Sequence, residues 1–362
     1  MNVEGILMAG KFEWHQFAEV NLADPFFDSL KSDYVEFPEW FQKKRNAEEQ
    51  TLVFHDEYGV GAFLYLKNEN EMIELEDRTL PARPRVKIGT LRLAERFRGM
   101  RHGEGALGVS LWKWQESGSE EIYATVFEKH TELVNLFERF GFKCVGMNRR
   151  GECIYLKNRK SIDYSDPYKC FPFINPCFSK AGLIPIYEKF HDRLFPYSEL
   201  KIKMREIEEE TAGNGITKVY IGTPYTATHY EIGEPVFIYR IYEGETGKTY
   251  KSAVTSYCTI TKIDVIKNNG RAKMSLSDFI NNAGNKTVFS PEELRNKYNK
   301  NNVVMLELVY NGFFGKGHNV NHKNLKDQGL FEAPPYKLDY TKEQFIKILG
   351  MGDVNVQNVI ID

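Results

Sequence analysis

A glycine-rich, basic turn between a strand and a helix is the feature that most restricts the fold of this chain. Residues 88–93 have the composition of a strand, and residues 96–105 (RFRGMRHGEG) form the turn. Residues 105–117 then predict an amphipathic helix. Backbone N–H groups at a helix start, together with the helix dipole, favour an anionic ligand such as a pyrophosphate. The alternative is an ordinary solvated turn with a basic face.

The local charge supports an anion site, whereas the total charge excludes a globally basic nucleic-acid binder. Eight basic residues and one acid, Glu95, lie between residues 78 and 101. The whole chain of 362 residues has 48 Lys plus Arg, 50 Asp plus Glu and a net charge of −2. The turn lacks the Gly-Lys-Ser/Thr end of a Walker loop and the spacing of a dinucleotide fingerprint.

Cysteine content and hydropathy restrict the location of the chain. Five cysteines without a CxxC pair predict neither a disulfide framework nor a zinc ribbon. The spacing of Cys170, Cys177 and His191 fits no standard metal site, so no metal is expected. No stretch reaches the roughly 18–20 apolar residues of a membrane span, and residues 1–14 do not resemble a signal peptide. We therefore expect a cytoplasmic protein without membrane association. Its oligomeric state is left open, with a homodimer as one option.

The order of predicted elements divides the chain into two domains. Residues 1–160 alternate between helices and strands, with a hairpin over 50–68 and a helix over 25–45. Residues rich in Pro, Ser and Lys then predict a linker over 161–200. A charged helix is predicted over 201–210, and β-rich sequence follows from residue 216. The expected fold class is α+β or α/β, with a second domain over 201–362.

The segment LRLAERFRGMRHGEGAL resembles motif A of the GNAT acetyltransferases, in which a strand is followed by R/Q-x-x-G-x-G/A and a helix. Arg96, Gly99 and Gly103 take the places of the Arg or Gln, the first Gly and a later Gly. Arg101 stands where Gly or Ala is usual. The flanking elements match in order over roughly residues 10–157, and ELVNLFERFGF resembles motif B. The resemblance implies a GNAT fold over 1–160, with a mixed central sheet and helices on both faces.

The same resemblance implies acetyl-CoA as the acetyl donor. Amides of the turn would hold the pyrophosphate, and backbone groups of the preceding strand would pair with the pantetheine arm. The residues implied to contact acetyl-CoA are Leu91, Leu93, Arg98, Gly99, Met100, Arg101, His102, Gly103, Glu104, Asn135 and Phe137.

Amine acetylation needs a base for the amine and an acid for the thiolate that leaves. Glu95, at the end of the motif A strand, is the candidate base, and Glu128 and His130 are rivals after the next long strand. Each could instead be a surface residue or a helix cap. Phe137 stands where the family often has Tyr and cannot donate a proton, so Tyr123 or solvent is the expected acid. Alternatively, the domain binds acyl-CoA without efficient catalysis.

The sequence from residue 216 onward resembles the PUA-like group that includes the ASCH and EVE domains. Gly233-Glu234 and the following VFIYR resemble the group's Gly-Asp phrase and its next strand. Ser290 and Pro291 resemble the N-cap and first residue of its helix. The resemblance implies a PUA-like β-barrel with helices and an RNA-type partner.

Exposed aromatic and basic side chains on a small barrel can stack on bases and hold phosphates. The alternative is that the aromatic side chains fill the core. The predicted nucleic-acid contacts are Tyr225, Tyr239, Arg240, Tyr257, Lys316 and Lys323, with His229 as a further candidate.

The predicted function is an acetyl-CoA-dependent N-acetyltransferase whose PUA-like domain recruits an RNA-type acceptor, such as tRNA or aminoacyl-tRNA. One alternative is an N-acetyltransferase of a protein or small-molecule amine. Another is a nucleic-acid-binding protein whose GNAT domain senses acyl-CoA and is catalytically weak.

Overall fold

The computed structural model describes residues 13–198, 211–224 and 229–361, which form two units. The described part of the first unit comprises residues 13–162, and the remaining ranges belong to the second. Each unit is built on its own mixed sheet, so the chain is a mixed α+β protein. The helix predicted over 201–210 lies outside the described residues. Across the described ranges, no helix is both long and apolar enough to cross a bilayer.

The first unit contains a seven-stranded sheet and a separate two-stranded one. Its described strands are β1 (Glu13–Gln16), β2 (Gln50–Asp56), β3 (Gly59–Glu69), β4 (Ile73–Glu74), β5 (Thr79–Leu80), β6 (Arg85–Leu93), β7 (Glu121–Val126), β8 (Lys143–Met147) and β9 (Cys153–Asn158). The large sheet has the order β1-β2-β3-β6-β7-β9-β8, and β4 pairs with β5. Within the large sheet β6 and β7 are parallel, and the other neighbours are antiparallel.

Four α-helices accompany this sheet within the described residues: α1 (Asp28–Asp33), α2 (Phe37–Asn46), α3 (His102–Ser117) and α4 (Thr131–Arg139). The helix predicted over 25–45 is therefore two helices, and the predicted hairpin over 50–68 is confirmed as β2 and β3. Aromatic side chains pack the segments around α1 and α2 against the sheet: Phe17, just after β1, contacts Phe41 of α2 with ring centroids 4.9 Å apart, and Phe27, just before α1, contacts Phe63 of β3 at 5.3 Å. All four are almost completely buried.

The second unit has a larger sheet, in which β10 and β12 are parallel and the other pairs are antiparallel. Its described strands are β10 (Ala181–Tyr187), β11 (Thr217–Gly222), β12 (Pro235–Ile241), β13 (Ala253–Asn268), β14 (Arg271–Ala272), β15 (Val303–Phe313), β16 (Val320–Asn321) and β17 (Asp339–Tyr340). The main path is β11-β15-β13-β12-β10-β17, and β14 and β16 both pair with β13. This path is a mixed sheet with two end strands, and the closed PUA-like barrel stays a prediction.

Among the described residues, two hydrophobic clusters stabilise the second unit. In one, Phe237 stacks on Phe345 with ring centroids 4.5 Å apart. In the other, Phe279 and Leu294 pack against strand residues such as Met305. The described helices are α5 (Pro167–Cys170), α6 (Glu188–Leu194), α7 (Thr211–Asn214), α8 (Lys248–Lys251), α9 (Leu276–Ala283), α10 (Pro291–Tyr298), α11 (His322–Asp327), α12 (Lys342–Met351) and α13 (Val356–Val359).

Of the segment predicted as a linker, residues 161–200, the described residues from Asp163 onward belong to the second unit. They contribute α5, β10 and α6, and β10 lies inside the sheet between β12 and β17. Pro185 lies within β10 and has no N–H to donate, which makes the strand hard to detect from composition. The residues around β10 are therefore core structure rather than a connection.

Candidate active site

The two parallel strands of the first unit separate after a short stretch of pairing. Residues 85–88 of β6 pair with residues 121–124 of β7. Residues 90–93 of β6 pair on the other side with β3, and a register shift in this pairing skips Gly89. A Cβ at Gly89 would lie 2.8 Å from the ring of Tyr65, so this bulge requires glycine. No described strand pairs with the other edge of residues 89–93, and such an edge offers backbone groups to a ligand.

The free end of β6 leads into the turn that begins α3. A 3-10 turn over Glu95–Phe97 is followed by two left-handed positions, Gly99 with φ 75° and Arg101 with φ 65°, and α3 begins at His102. A Cβ at Gly99 would meet no protein atom within 4 Å, so the space beside this position is open. Turns of this type before a helix direct N–H groups outward and favour anions.

Most charged side chains of the turn are bound to the protein itself. Arg96 donates two hydrogen bonds of 2.8 Å to Asp56, which ties the turn to the β2–β3 hairpin. Arg101 and Glu104 form an ion pair of 3.0 Å and are about 90% buried. Arg98 is 69% exposed and lies 3.7 Å from Glu95. An anion at this turn would therefore meet backbone groups and the Arg98 side chain.

His102 is part of the core rather than a ligand-binding side chain. Its ring lies between Phe54 and Phe97, with centroids 4.9 and 4.7 Å away, and it is 2% exposed. Burial lowers its pKa to about 4, because the charged form loses hydration. Only the backbone of His102 is placed to contact a cofactor.

The remaining predicted cofactor contacts lie in two regions. Leu91 and Leu93 are half-buried on the unpaired edge of β6, and Met100 and Gly103 lie in and just after the turn. Asn135 is exposed on α4. Phe137 is a correction: it is completely buried and packs against Phe142, so its ring cannot contact a cofactor.

Two candidate bases lie at the same end of the sheet. Glu95 follows β6 and Glu128 follows β7, and both are exposed. Since β6 and β7 are parallel, their carboxyl ends share one edge, next to the turn of α3. His130 is also exposed and immediately precedes α4. From these positions a side chain could accept a proton at the end of the strand pair, where β6 and β7 have separated.

Tyr123, the predicted acid, lies inside the sheet. It is 3% exposed, and its hydroxyl donates to Glu69 on β3. It lies opposite Lys87 near the start of β6, roughly 20 Å along the strand from Leu93 at about 3.3 Å per residue. Tyr123 is therefore at the wrong end of the strand pair to act together with Glu95.

The structure brings together a group that sequence analysis missed. Tyr34, after α1, donates a 2.9 Å hydrogen bond to Glu152, just before β9. Asn148 donates to the other carboxylate oxygen of Glu152 at 2.9 Å, and Tyr34 stacks on Phe127, just after β7. Burial and the neighbouring Glu152 carboxylate raise the pKa of Tyr34. The two partners are 118 residues apart, and no local sequence signal links them.

A second tyrosine lies beside the buried Phe137. Tyr155 on β9 stacks on Phe137 with ring centroids 6.0 Å apart and an interplanar angle of 16°. Burial raises the pKa of Tyr155, and the charges of Glu138 and Glu128 raise it further. Its phenol therefore stays protonated at neutral pH and is able to donate a proton.

In the second unit, the predicted nucleic-acid contacts are mostly structural. Tyr239 and Tyr257 are 4% and 3% exposed and belong to the core. Arg240 is buried and makes two hydrogen bonds to Asp192, of 2.8 and 2.9 Å. Burial would raise the pKa of Asp192, but hydrogen bonds from Arg240 and His191 lower it to about 2. These three predicted contacts are therefore wrong as exposed side chains that could contact bases.

The other predicted contacts differ in their surroundings. Lys316 is exposed, and Lys323 is half-buried and bonded to Asp327 at 2.5 Å. His229 forms an ion pair of 3.2 Å with Asp339 when it is protonated. Tyr225 lies outside the described residues.

Glu234, in the phrase that resembles the PUA-like group, is a buried carboxyl before β12. It lies 3.7 Å from the Lys180 ammonium, and its other oxygen would be 2.9 Å from a Cβ at Gly182. Glycine at 182 therefore makes room for this carboxyl group. Burial raises the pKa of Glu234 to about 7.

The cysteines differ from expectation in one pair. Cys144 and Cys153 are joined by a disulfide across β8 and β9, with Cα atoms 6.0 Å apart, a normal separation for such a bond. Cys170, Cys177 and Cys258 are free. Within the described residues, no cluster of three or more His, Cys, Asp or Glu side chains could hold a metal ion.

Comparisons with known proteins give weak similarities to solved structures. No protein-family model and no curated protein sequence matches the chain. Ard1 from Thermoplasma volcanium is 16% identical over 41% of this chain and 95% of its own, with a TM-score of 0.32. AtaTR bound with acetyl-CoA is 15% identical over 42% and 95%, with a TM-score of 0.32.

A further similarity is to a serine-to-alanine mutant of ZmASCH from Zymomonas mobilis, at 12% identity over 47% of this chain and 94% of that one, with a TM-score of 0.31. At these values none of the similarities supports a function. The evidence for a function is therefore the separation of β6 and β7, the turn before α3 and the side chains around them.

Proposed function

We propose that the first unit is an acetyl-CoA-dependent N-acetyltransferase. The observation that carries this proposal is the parallel pair β6 and β7, which separates after residues 85–88 and leads into the turn of α3. An extended ligand with amides at one end and a pyrophosphate at the other needs a strand edge followed by a helix start. CoA has this construction, and it fits both resemblances of the sequence to motifs A and B.

The residues present fit acetyl-CoA in kind and position. Backbone groups of Leu91 and Leu93 would bind the pantetheine amides, and the turn around Gly99 would bind the pyrophosphate, with Arg98 adding positive charge. Acetyl-CoA supplies the activated acetyl group when it is bound. The open space beside Gly99 supports this interpretation, because a phosphate needs close access to the backbone there.

The chain offers groups for one of the two proton transfers. Glu95 or Glu128 would accept the proton of the acceptor amine at the carboxyl end of the strand pair. Solvent is our candidate proton donor, because Tyr155 and Tyr123 are both buried and lie near the start of the strand pair, away from Glu95.

We further propose that the second unit recruits an RNA-type acceptor. The buried positions of Tyr239, Tyr257 and Arg240 weaken the surface first predicted for this role, whereas exposed lysines such as Lys316 remain available. The alternative acceptor, a protein or small-molecule amine, is favoured by the buried Glu152 carboxylate and the phenol of Tyr34 near the end of β7. Such a pair suits a cationic amine.

The experiment is calorimetric titration of the chain with acetyl-CoA, CoA, ATP and NAD, followed by CoA-release assays with amine and RNA acceptors. We expect saturable binding of acetyl-CoA and CoA only. The variants E95Q and E128Q identify the base, with E116Q on exposed α3 surface as the control. Loss of turnover by about 100-fold in one of the first two, with acetyl-CoA binding unchanged, supports catalysis.

Two results would count against the proposal. Absence of acetyl-CoA binding would contradict the cofactor site. Tight binding without turnover by any acceptor would favour the acyl-CoA-sensing alternative.

A further inference from the structure

Two short helices of the second unit, α8 and α11, lie side by side. α8 immediately precedes β13, and α11 immediately follows β16. Ala253 of β13 pairs with Asn321 of β16, so the end of one helix meets the start of the other. The backbone N–H of His322 donates to the carbonyl of Ser252 at 2.9 Å and fixes this junction.

The face made by these helices, here called the α8–α11 face, is rich in lysine. Lys248 and Lys251 come from α8, and Lys323 and Lys326 from α11. Asp327 bonds Lys323. For the other three lysines, no ion pair with a carboxylate is present among the described residues. Together with Glu245 before α8, the face has four lysines and two acids, in a chain whose total charge is −2.

The same face presents an aromatic ring to solvent. Tyr250 on α8 is 64% exposed. The helix that carries this ring, α8, is in contact with α11. Lys251 lies 4.4 Å from the ring centroid of Tyr242 and donates to its hydroxyl at 3.0 Å. An exposed ring among lysines is thus present here, in contrast to the buried Tyr239 and Tyr257.

We propose that the α8–α11 face binds single-stranded RNA, with Tyr250 stacking on a base and the lysines contacting phosphates. The inference rests on the proposed recruitment of an RNA-type acceptor and locates it. Stacking on an exposed ring requires an unpaired base, which favours a single strand over a duplex. The six residues of α11 span about 9 Å, enough for two or three nucleotides. One isolated ring without an apolar patch is poorly suited to a membrane surface.

The test measures fluorescence anisotropy of a labelled single-stranded RNA decamer with the full chain over a range of salt concentrations. The variants are K248A/K326A and Y250A. Matched controls remove equal charge or an equal ring elsewhere on the second unit: K300A/K347A, two exposed lysines, and Y336A, whose ring is 48% exposed.

We expect K248A/K326A to reduce the slope of log Kobs against log salt concentration by about 1.4, at roughly 0.7 per lysine. Y250A should weaken binding by at least about fivefold, because stacking on one base typically contributes more than this. The control variants should bind like the unmodified chain.

Equal losses in variants and controls, or unchanged binding by K248A/K326A and Y250A, would overturn the proposal. Binding to vesicles that contain phosphatidylserine, in place of RNA, would overturn it too. Acetyl-CoA titration of the same variants separates this failure from failure of the transferase assignment. Intact acetyl-CoA binding without RNA binding rejects only the face, whereas RNA binding without acetyl-CoA binding supports the face and rejects the transferase.

Discussion

The role of the turn before α3 can be tested with a matched pair of glycines. Gly99, with φ 75°, precedes this helix, and Gly118, with φ 68°, ends it. A Cβ at either position would meet no protein atom within 4 Å. Alanine in a left-handed position costs roughly 1–2 kcal/mol, so G99A and G118A should lower stability by similar amounts. For a unit of this size we expect melting temperatures lower by roughly 2–8 °C in both variants.

Only G99A should weaken acetyl-CoA binding if the pyrophosphate lies in the turn. The added methyl group has no protein neighbour and G118A carries the same left-handed strain, so a loss of affinity confined to G99A assigns the ligand to the turn. We expect a Kd at least about tenfold higher, equivalent to roughly 1.4 kcal/mol, measured by calorimetry at a temperature where both variants are folded. Equal Kd values for G99A and the unmodified chain would refute the pyrophosphate site. An equal loss in G118A would assign the effect to distortion of α3 instead.

Three further outcomes are expected. His102 has a pKa of about 4 in the fold and is neutral there, whereas in the unfolded chain it is protonated below pH 6.5. The free energy of unfolding of the first unit should therefore fall by about 3 kcal/mol as pH falls from 6.5 to 4. H102L should remove this loss in urea unfolding followed by tryptophan fluorescence, and an equal loss in H102L would contradict the assignment. For Glu234 the stability depends on pH in the opposite direction, because the fold raises its pKa from 4.5 to about 7. The free energy that protects the β12 amides from hydrogen exchange should therefore fall by roughly 3 kcal/mol as pH rises through this window. Hydrogen exchange should show the loss in the unmodified chain, and persistence of the loss in E234Q would refute it. Y34F removes the donor to one oxygen of the buried Glu152 carboxylate and should lower the free energy of unfolding in urea by about 1–3 kcal/mol. A change below roughly 0.5 kcal/mol, the effect of an ordinary surface substitution, would show that solvent replaces the hydroxyl.

Local elements of the first unit could be predicted because their signals are contained in short windows. The β2–β3 hairpin and the strand–turn–helix around Gly99 depend on residues within about 20 positions of one another. Contacts across long separations had no such signal. The bond between Tyr34 and Glu152 joins segments 118 residues apart, and the pair depends on the complete sheet order.

The second unit shows why exposed and buried aromatics could not be separated by pattern. Tyr239 and Tyr257 lie on strands within the sheet, where packed elements bury strand residues at successive positions. Alternation then no longer marks a solvent face. Arg240 has its partner, Asp192, 48 residues away on a helix within the segment predicted as a linker. Because this segment was expected to be a linker, nothing in the sequence suggested a carboxylate partner for Arg240.

Many of the basic residues around the turn are paired with carboxylates of the protein, so their number overstates the positive charge available to a ligand. Arg96 is bound to Asp56, and Arg101 to Glu104. Arg85 is 1% exposed and bonded to Glu121, a buried ion pair that holds β6 against β7. Such pairs fix geometry, and their charges are largely cancelled for a ligand. Of the eight cations in residues 78–101, Arg98 is therefore the one in the turn that an anion can reach, and an acetyl-CoA site here must depend chiefly on backbone groups.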